Sequence, residues 1–409
     1  MPQPDPATFT ARVAGGTIHI GAFSPDSRYV AVTAGCRTTQ IYDAYTGQQV
    51  GQVDAREEPG CFGINALLLP DNERLAVYMA LPNGAGRLDV WNWHTGEPLS
   101  ATALASWPPR FLYPVLCANR DGNRLVTLGQ QGQVQVFDMA TPAARPWRKW
   151  DGDQGFKWFR LSPDGCFLAG ATPTSAVLWN IETGELRGHF DQQAEITDAA
   201  FSQDGRFLAS SSRDGAVKVW NLQTQTLAAG PLVHPAHVYT VEFSPDGRYL
   251  LTIAKDASAR VWNIASGQLA AAPITGFEDI TARFRRAVSQ LVLTDYEGHF
   301  EAWDWRRHQR LMPTQRLFWE RAFAWSGQRS LVLSPDGRLA AVGGNKELHI
   351  VNLRPLDVTE VPPIQELVTE AEVLSHLRML DTGATANLTF EEWYGRWESL
   401  RAARRGGQE

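Results

Sequence analysis

A pattern of about 40 residues recurs along this chain and limits its fold more than any other feature. Its clearest copy is Val238–Leu269, VYTVEFSPDGRYLLTIAKDASARVWNIASGQL. VYTVEFS sets Val238, Thr240 or Val241, and Phe243 among polar neighbours, the alternation of a strand with one buried face. In Ser244-Pro245-Asp246-Gly247 the proline presets φ, the aspartate can bond the backbone two residues on, and the glycine accepts φ > 0, so the chain turns tightly. RYLLTIA reads as a second strand, Lys255-Asp256-Ala257 as a turn, and SARVWNI as a third strand broken at Ala265-Ser266-Gly267. Such a unit is too small to bury its own faces, so copies must pack on one another.

The turn aspartate recurs at Asp26, Asp71, Asp121, Asp164, Asp204, Asp246 and Asp336, with a degenerate copy near Ala287. The third-strand aromatic recurs at Tyr42, Trp91, Phe137, Trp179, Trp220, Trp262 and Trp303, and Val351 takes its place in the last copy. Successive positions stand 41 to 49 residues apart, close to the length of one propeller blade. Eight copies follow, or seven if the second (Ile64 to Ser100, with its LPNGAGR insertion) or the seventh (Ile280 to Leu311) is not a true blade. A length that would otherwise suggest two or three domains then fits one ring.

These residues resemble the WD-repeat β-propellers, through FSPDG at 243–247, FSQDG at 201–205 and the Trp-Asn or Trp-Asp pairs that end third strands. The resemblance implies an all-β, closed propeller over residues 8–358 with four strands per blade. The fourth strand would follow each third strand, as in Gln268 to Ile274. It also implies that Phe9 to Val13 completes the last blade, which would remove an open edge. In that family a buried network joins a His, a Ser or Thr, an Asp and the third-strand Trp. The sixth copy supplies His234, Thr252, Asp256 and Trp262, and the fifth supplies His189, Ser210, Asp214 and Trp220. Elsewhere Cys36, Gln131, Pro173, Glu297 and Asn345 stand where the Asp would, so apolar packing and turns must hold those blades. Ser210, His189 and Asp214 are also the residue types of a hydrolase triad, but a hydroxyl inside a blade, bonded to an indole, lacks an open site and oxyanion donors.

Composition narrows the function classes. A net charge of −6 argues against nucleic acid, which requires a concentrated positive surface. No apolar run approaches a membrane span, and MPQPDPATFT has no basic n-region, so the expected location is the cytoplasm. Cys36, Cys61, Cys117 and Cys166 lie far apart and form no C-x-x-C pair; reduced, mostly buried thiols are expected. Phosphate-binding, zinc-protease, nucleophile-elbow and kinase motifs are missing, and Asp151-Gly-Asp153-Gln-Gly155 lacks the later carboxylates of a calcium loop. No cofactor, metal or catalytic residue is expected.

What remains is surface. By the resemblance, partners meet the face that carries the second-to-third strand turns. The residue before each turn Asp, here Arg213 and Lys255, belongs to it, with Gly35, Gln130, Thr172, Tyr296 and Gly344 in equivalent places. Trp107, Trp147, Trp150, Trp158, Trp319 and Trp325 lie outside the third-strand positions and could serve as interface anchors or as blade caps. Thr281 to Ser330 holds nine arginines against five acids, either a face for an acidic partner or a protected blade edge.

After Pro362-Pro363 the period changes. Ile364, Leu367, Val368, Ala371, Leu374 and Leu377 form one helical stripe that Gly383 would stop, and Thr389-Phe-Glu-Glu392 is a capping box before a second helix carrying Trp393, Trp397 and Leu400. A C-terminal two-helix extension over residues 359–409 is expected, with Leu367, Leu374, Trp393 and Trp397 as its contacts. This tail is similar to the ends of bacterial WD-repeat Ser/Thr protein kinases, of which only the propeller half has a counterpart here. The function expected is a non-enzymatic scaffold for other proteins in bacterial signalling or complex assembly. The alternative is a propeller that binds a small ligand, or acts as an enzyme, in its central channel; clustered ionisable groups there would favour it, and none is evident in the sequence.

Overall fold

A computed structural model of the chain describes residues 9–13, 18–34, 38–54, 62–80, 86–104, 116–119, 124–128, 134–139, 146–150, 159–171, 174–277, 279–286, 289–317, 331–343, 347–353, 356, 377–379 and 385–387. These form a β-propeller-like all-β fold of antiparallel sheets. Among the described residues seven sheets are consecutive in sequence and begin with Ile18–Phe23, Phe62–Leu68, Leu116–Ala118, Phe159–Leu161, Ile196–Phe201, Val238–Phe243 and Thr281–Phe284. An eighth joins Leu331–Leu333, Leu339–Gly343 and Glu347–Asn352 to the N-terminal strand Phe9–Arg12, with Phe9 opposite Ile350 and Arg12 opposite Glu347.

The sixth sheet shows how the sequence builds each unit. Its strands Val238–Phe243, Tyr249–Ala254 and Ser258–Asn263 fall where the alternation and turn residues place them. In the first turn the Ser244 hydroxyl donates to Asp246 Oδ1 (2.6 Å) and accepts from the Tyr249 amide (2.9 Å), while Asp246 Oδ1 accepts from the Arg248 amide (3.1 Å). The same Ser–Asp pair closes the turns at Ser24/Asp26, Ser162/Asp164, Ser202/Asp204 and Ser334/Asp336. A second device follows three of the Trp-Asn pairs: Asn221 Oδ1 accepts from the Gln223 and Thr224 amides, and Asn180 and Asn92 repeat the arrangement. Short polar side chains thus satisfy turn amides that lack ladder partners.

Cores lie between neighbouring sheets. Ala31 and Ile41 of the first sheet pack with Leu75, Val77 and Trp93 of the second, and Leu251 and Ile253 of the sixth pack with Leu291, Leu293 and Trp305 of the seventh. Another cluster joins Ile20 and Val30 of the first sheet to Leu339, Leu348 and Ile350 of the eighth. Each such Val, Leu or Ile side chain contributes about 1.5–3 kcal/mol when fully buried, so successive sheets stabilise one another. First strands approach the first strands of neighbouring sheets, for example Ile196–Phe201 against Val238–Phe243, so they occupy the inner side.

Three expectations are corrected. The fourth strand of the sixth sheet is not continuous to Ile274: it pairs only at Gln268–Leu269, and Ile274 returns through an isolated bridge to Ala259. Cys166 is exposed, because it sits in the tight turn between Ser162 and Phe167 and not on a strand. The expected first tail helix does not run to Gly383, for Leu377–Met379 pairs with Thr385–Asn387 as a short hairpin. Leu377 and Met379 also satisfy a period of 2, and Asp381-Thr382-Gly383 is a turn-prone sequence. Leu367, Leu374, Trp393 and Trp397 lie outside the described residues, as do Trp107, Trp158, Trp319, Trp325 and the Asp151–Gly155 segment.

Candidate functional site

The predicted buried networks form in part. In the sixth sheet His234 Nε2 lies 2.7 Å from Thr252 Oγ1, which also accepts the Trp262 indole N–H at 3.0 Å. Both His234 and Thr252 are buried. Burial, helped by the nearby Arg260 charge, holds the His234 pKa below its ordinary value. Asp256 does not join by a hydrogen bond. Its carboxylate accepts from the Ser258 hydroxyl and from Arg260 Nη2 (2.7 Å), while His234 Nδ1 meets the Gly215 carbonyl (3.0 Å). Arg260, two residues before Trp262, takes the carboxylate that the resemblance assigned to histidine.

The fifth sheet departs further. Trp220 Nε1 donates to Ser210 Oγ (3.1 Å), as expected, but the third partner is Gln192, whose Nε2 donates to Ser210 Oγ (2.6 Å) and to the Ser210 carbonyl (3.0 Å). His189 is exposed on the outer strand Leu186–Asp191, opposite Val177 of the fourth sheet. Asp214 instead caps its own turn: burial would raise its pKa, yet the Ser212 hydroxyl and Ala216 amide hold it below the ordinary range. A Gln four residues before Ile196 stands where His234 stands before Val238, and that offset was the signal missed. No Ser–His–Asp constellation exists at these residues.

The proposed face is partly described. Arg213 and Lys255 are exposed in the second-to-third strand turns of adjacent sheets. The Arg213 amide donates to Glu195 O and the Lys255 amide to His237 O, which ties these turns to the starts of the first strands. Arg213 also reaches Glu195 at 3.2 Å. His237 lies close enough to both cations that, after burial, their charges lower its pKa. Tyr296 occupies the equivalent turn of the seventh sheet and is half-buried; Gln130, Gly35, Thr172 and Gly344 fall outside the described residues.

The inner side holds a row of charges drawn from separate repeats. First strands of the third to seventh sheets line a cavity of about 520 Å³, bordered by Pro163 and Gln203 of the first-to-second turns and thus displaced toward the end opposite Arg213 and Lys255. Four charged side chains line it: Arg160, Asp198, Glu242 and Arg283. Arg160 Nη2 meets Asp198 Oδ1 at 2.8 Å, and Asp198 Oδ2 accepts the Val241 amide (3.2 Å). Glu242 Oε1 accepts the Phe284 amide (3.2 Å), and its buried Oε2 has no hydrogen-bond partner, with Arg283 Nη1 3.7 Å away. Burial pushes the Glu242 carboxyl up to about 7; Arg283 and the Phe284 amide oppose this and Asp198 adds to it. Arg160, Glu242 and Arg283 each directly precede the apolar residue that ends a first strand, a register visible once the copies are aligned. Among the described residues no cluster of His, Cys, Asp and Glu could hold a metal ion.

Comparison with known proteins places this arrangement. The chain is similar to Autophagy-related protein 16 of Arabidopsis thaliana, at 27% identity over 50% of this chain and 38% of that protein. It is similar to the Protein LST8 homolog of Drosophila melanogaster, at 29% over 26% of this chain and 34% of that protein, and to the Target of rapamycin complex subunit wat1 of Schizosaccharomyces pombe, at 37% over 16% and 22%. It therefore spans little more than a third of the length of the first two relatives. The computationally designed Ika8 protein shares the fold, with a TM-score of 0.63 and 20% identity over 83% of this chain and 98% of that one. Residues 181–221 and 230–263 match the family model described as WD domain, G-beta repeat, and these two stretches hold the three inner strands of the fifth and sixth sheets.

Proposed function

We propose that this protein is a non-enzymatic interaction scaffold, built as a closed propeller of eight blades over residues 8–358, that presents one ring face to other proteins. The observation that carries the reading is the exposed pair Arg213 and Lys255 near His237, on turns whose amides are hydrogen-bonded to the starts of the first strands. Eight described sheets and the pairing of Phe9–Arg12 with Glu347–Asn352 support the blade count and the closure. A relative named as a complex subunit supports protein partners. Neither nucleic acid nor a membrane figures among them. The similarity of the tail to bacterial WD-repeat kinases supports a cytoplasmic role in bacterial signalling or complex assembly, with residues 359–409 as an extension outside the ring.

Affinity capture with the full chain, an Arg213→Ala/Lys255→Ala variant and a truncation ending at Pro363, read by mass spectrometry, tests this. Proteins retained by the full chain and lost by the double variant support the ring face. Partners lost only on truncation would move recognition to the tail, and no specific partner with any form would overturn the scaffold reading.

A further inference from the structure

The inner cavity presents its charges in a definite order. Along the arc from the fourth to the seventh sheet stand a guanidinium, two carboxylates and a second guanidinium: Arg160, Asp198, Glu242, Arg283. The two carboxylates are close enough that Asp198 raises the Glu242 pKa. Each carboxylate oxygen has two lone pairs, and among the described residues Asp198 Oδ1, Asp198 Oδ2 and Glu242 Oε1 each accept from one donor. Arg283 donates Nη1 to the Ala282 carbonyl (3.1 Å), and its Nε and Nη2 carry no hydrogen bond among the described residues. A free guanidinium edge is a fork suited to a carboxylate. Ala118, Leu161, Ala199 and Val241 supply apolar wall between these groups.

We propose that this cavity binds a small zwitterion of the α-amino-acid class, with its ammonium against Asp198 and Glu242 and its carboxylate on the Arg283 guanidinium. The volume of about 520 Å³ suits a small molecule. A carboxylate alone would meet Arg283 but leave the spare lone pairs of Asp198 and Glu242 without a donor. An amine alone would meet Asp198 and Glu242 but leave the Nε and Nη2 edge of Arg283 without an acceptor. A zwitterion answers both with groups held a few bonds apart. An ammonium beside Glu242 favours its ionised form, so binding near neutral pH releases a proton from that carboxyl; the charged groups around it are Arg283 on the seventh sheet, Asp198 on the fifth and, beyond it, Arg160 on the fourth. The site stands on this charge row and not on the scaffold reading.

The test is isothermal calorimetry and thermal melting of the full chain with free L-amino acids supplied one at a time, and with acetate and methylamine as single-charge controls. At least one amino acid is expected to bind and to raise the melting temperature, with neither control doing so. Glu242→Gln and Arg283→Met, each confirmed folded by circular dichroism, should weaken that binding about tenfold or more. Calorimetry of the unaltered chain in two buffers of different ionisation enthalpy should show proton release, a readout independent of any variant. No binding of any amino acid overturns the proposal. So does acetate or methylamine binding as tightly as the amino acid, or an amino-acid affinity that Glu242→Gln leaves unchanged. Partner capture that fails while amino acids still bind would sink the scaffold reading alone.

Discussion

The Asp336 amide donates to Ser27 Oγ at 3.1 Å across 309 residues of sequence, joining the turn of the last sheet to that of the first. The contact accompanies the N-terminal strand, where Thr10 Oγ1 lies 3.0 Å from His349 Nδ1. Deleting residues 1–12 would strip the partner from Glu347–Asn352 and leave an unpaired edge. The truncated chain should melt at lower temperature and associate with rising concentration, which calorimetry and light scattering would register. A truncated chain that stays monomeric with an unchanged melting temperature would show that this strand does not complete the fold.

Thr252 Oγ1 is the shared atom of the His234 and Trp262 contacts. Thr252→Val keeps the shape but strands two buried nitrogens, at a cost of about 1–3 kcal/mol. Ser210→Ala should act in the same direction, because Gln192 and Trp220 both depend on that hydroxyl. His189→Ala, on the exposed outer strand, should be nearly silent. Urea denaturation of the three variants checks the order.

Gly21 lies where the first and second sheets approach. A Cβ added there would stand 2.2 Å from the Ala66 carbonyl oxygen, a backbone atom that cannot swing aside. Gly21→Ala should therefore destabilise the chain by about 1–3 kcal/mol or more, while Gly205→Ala, with no atom within 4 Å of the added carbon, carries only the strain of its positive φ. Thermal melts of both separate steric crowding from backbone strain.

Glu242 has a folded pKa raised from 4.5 to about 7, so the fold favours its protonated form. That contribution to stability is complete below about pH 4.5 and disappears as pH rises through about 7. His234, His237 and His349 have lowered values and act oppositely, since the fold disfavours their protonation. The difference between the full chain and Glu242→Gln therefore isolates the carboxyl. Between pH 5 and 8 the unaltered chain should lose stability relative to Glu242→Gln; a parallel pair of pH–stability curves would show that burial does not raise this group.

The repeat, its strands and its turn aspartates were legible in the sequence because they rest on local chemistry: alternation sets which residues face inward, and Pro, Asp and Gly set where the chain reverses. The serine that closes five of these turns lay in the same quoted FSPDG, but its role emerges only when Ser244 is seen to bond both Asp246 and the Tyr249 amide. Partner choice inside the networks was less legible. Gln192 bonds Ser210 where His189 was expected because His189 is exposed on an outer strand of the neighbouring sheet, and Arg260 holds Asp256 because its guanidinium lies within hydrogen-bond reach. The cavity was invisible for a different reason. Arg160, Asp198, Glu242 and Arg283 are spread over more than 120 residues and look like isolated surface charges; they form one row only because four first strands stand side by side. Local pattern determined what each unit is, and the packing of units decided which charges meet.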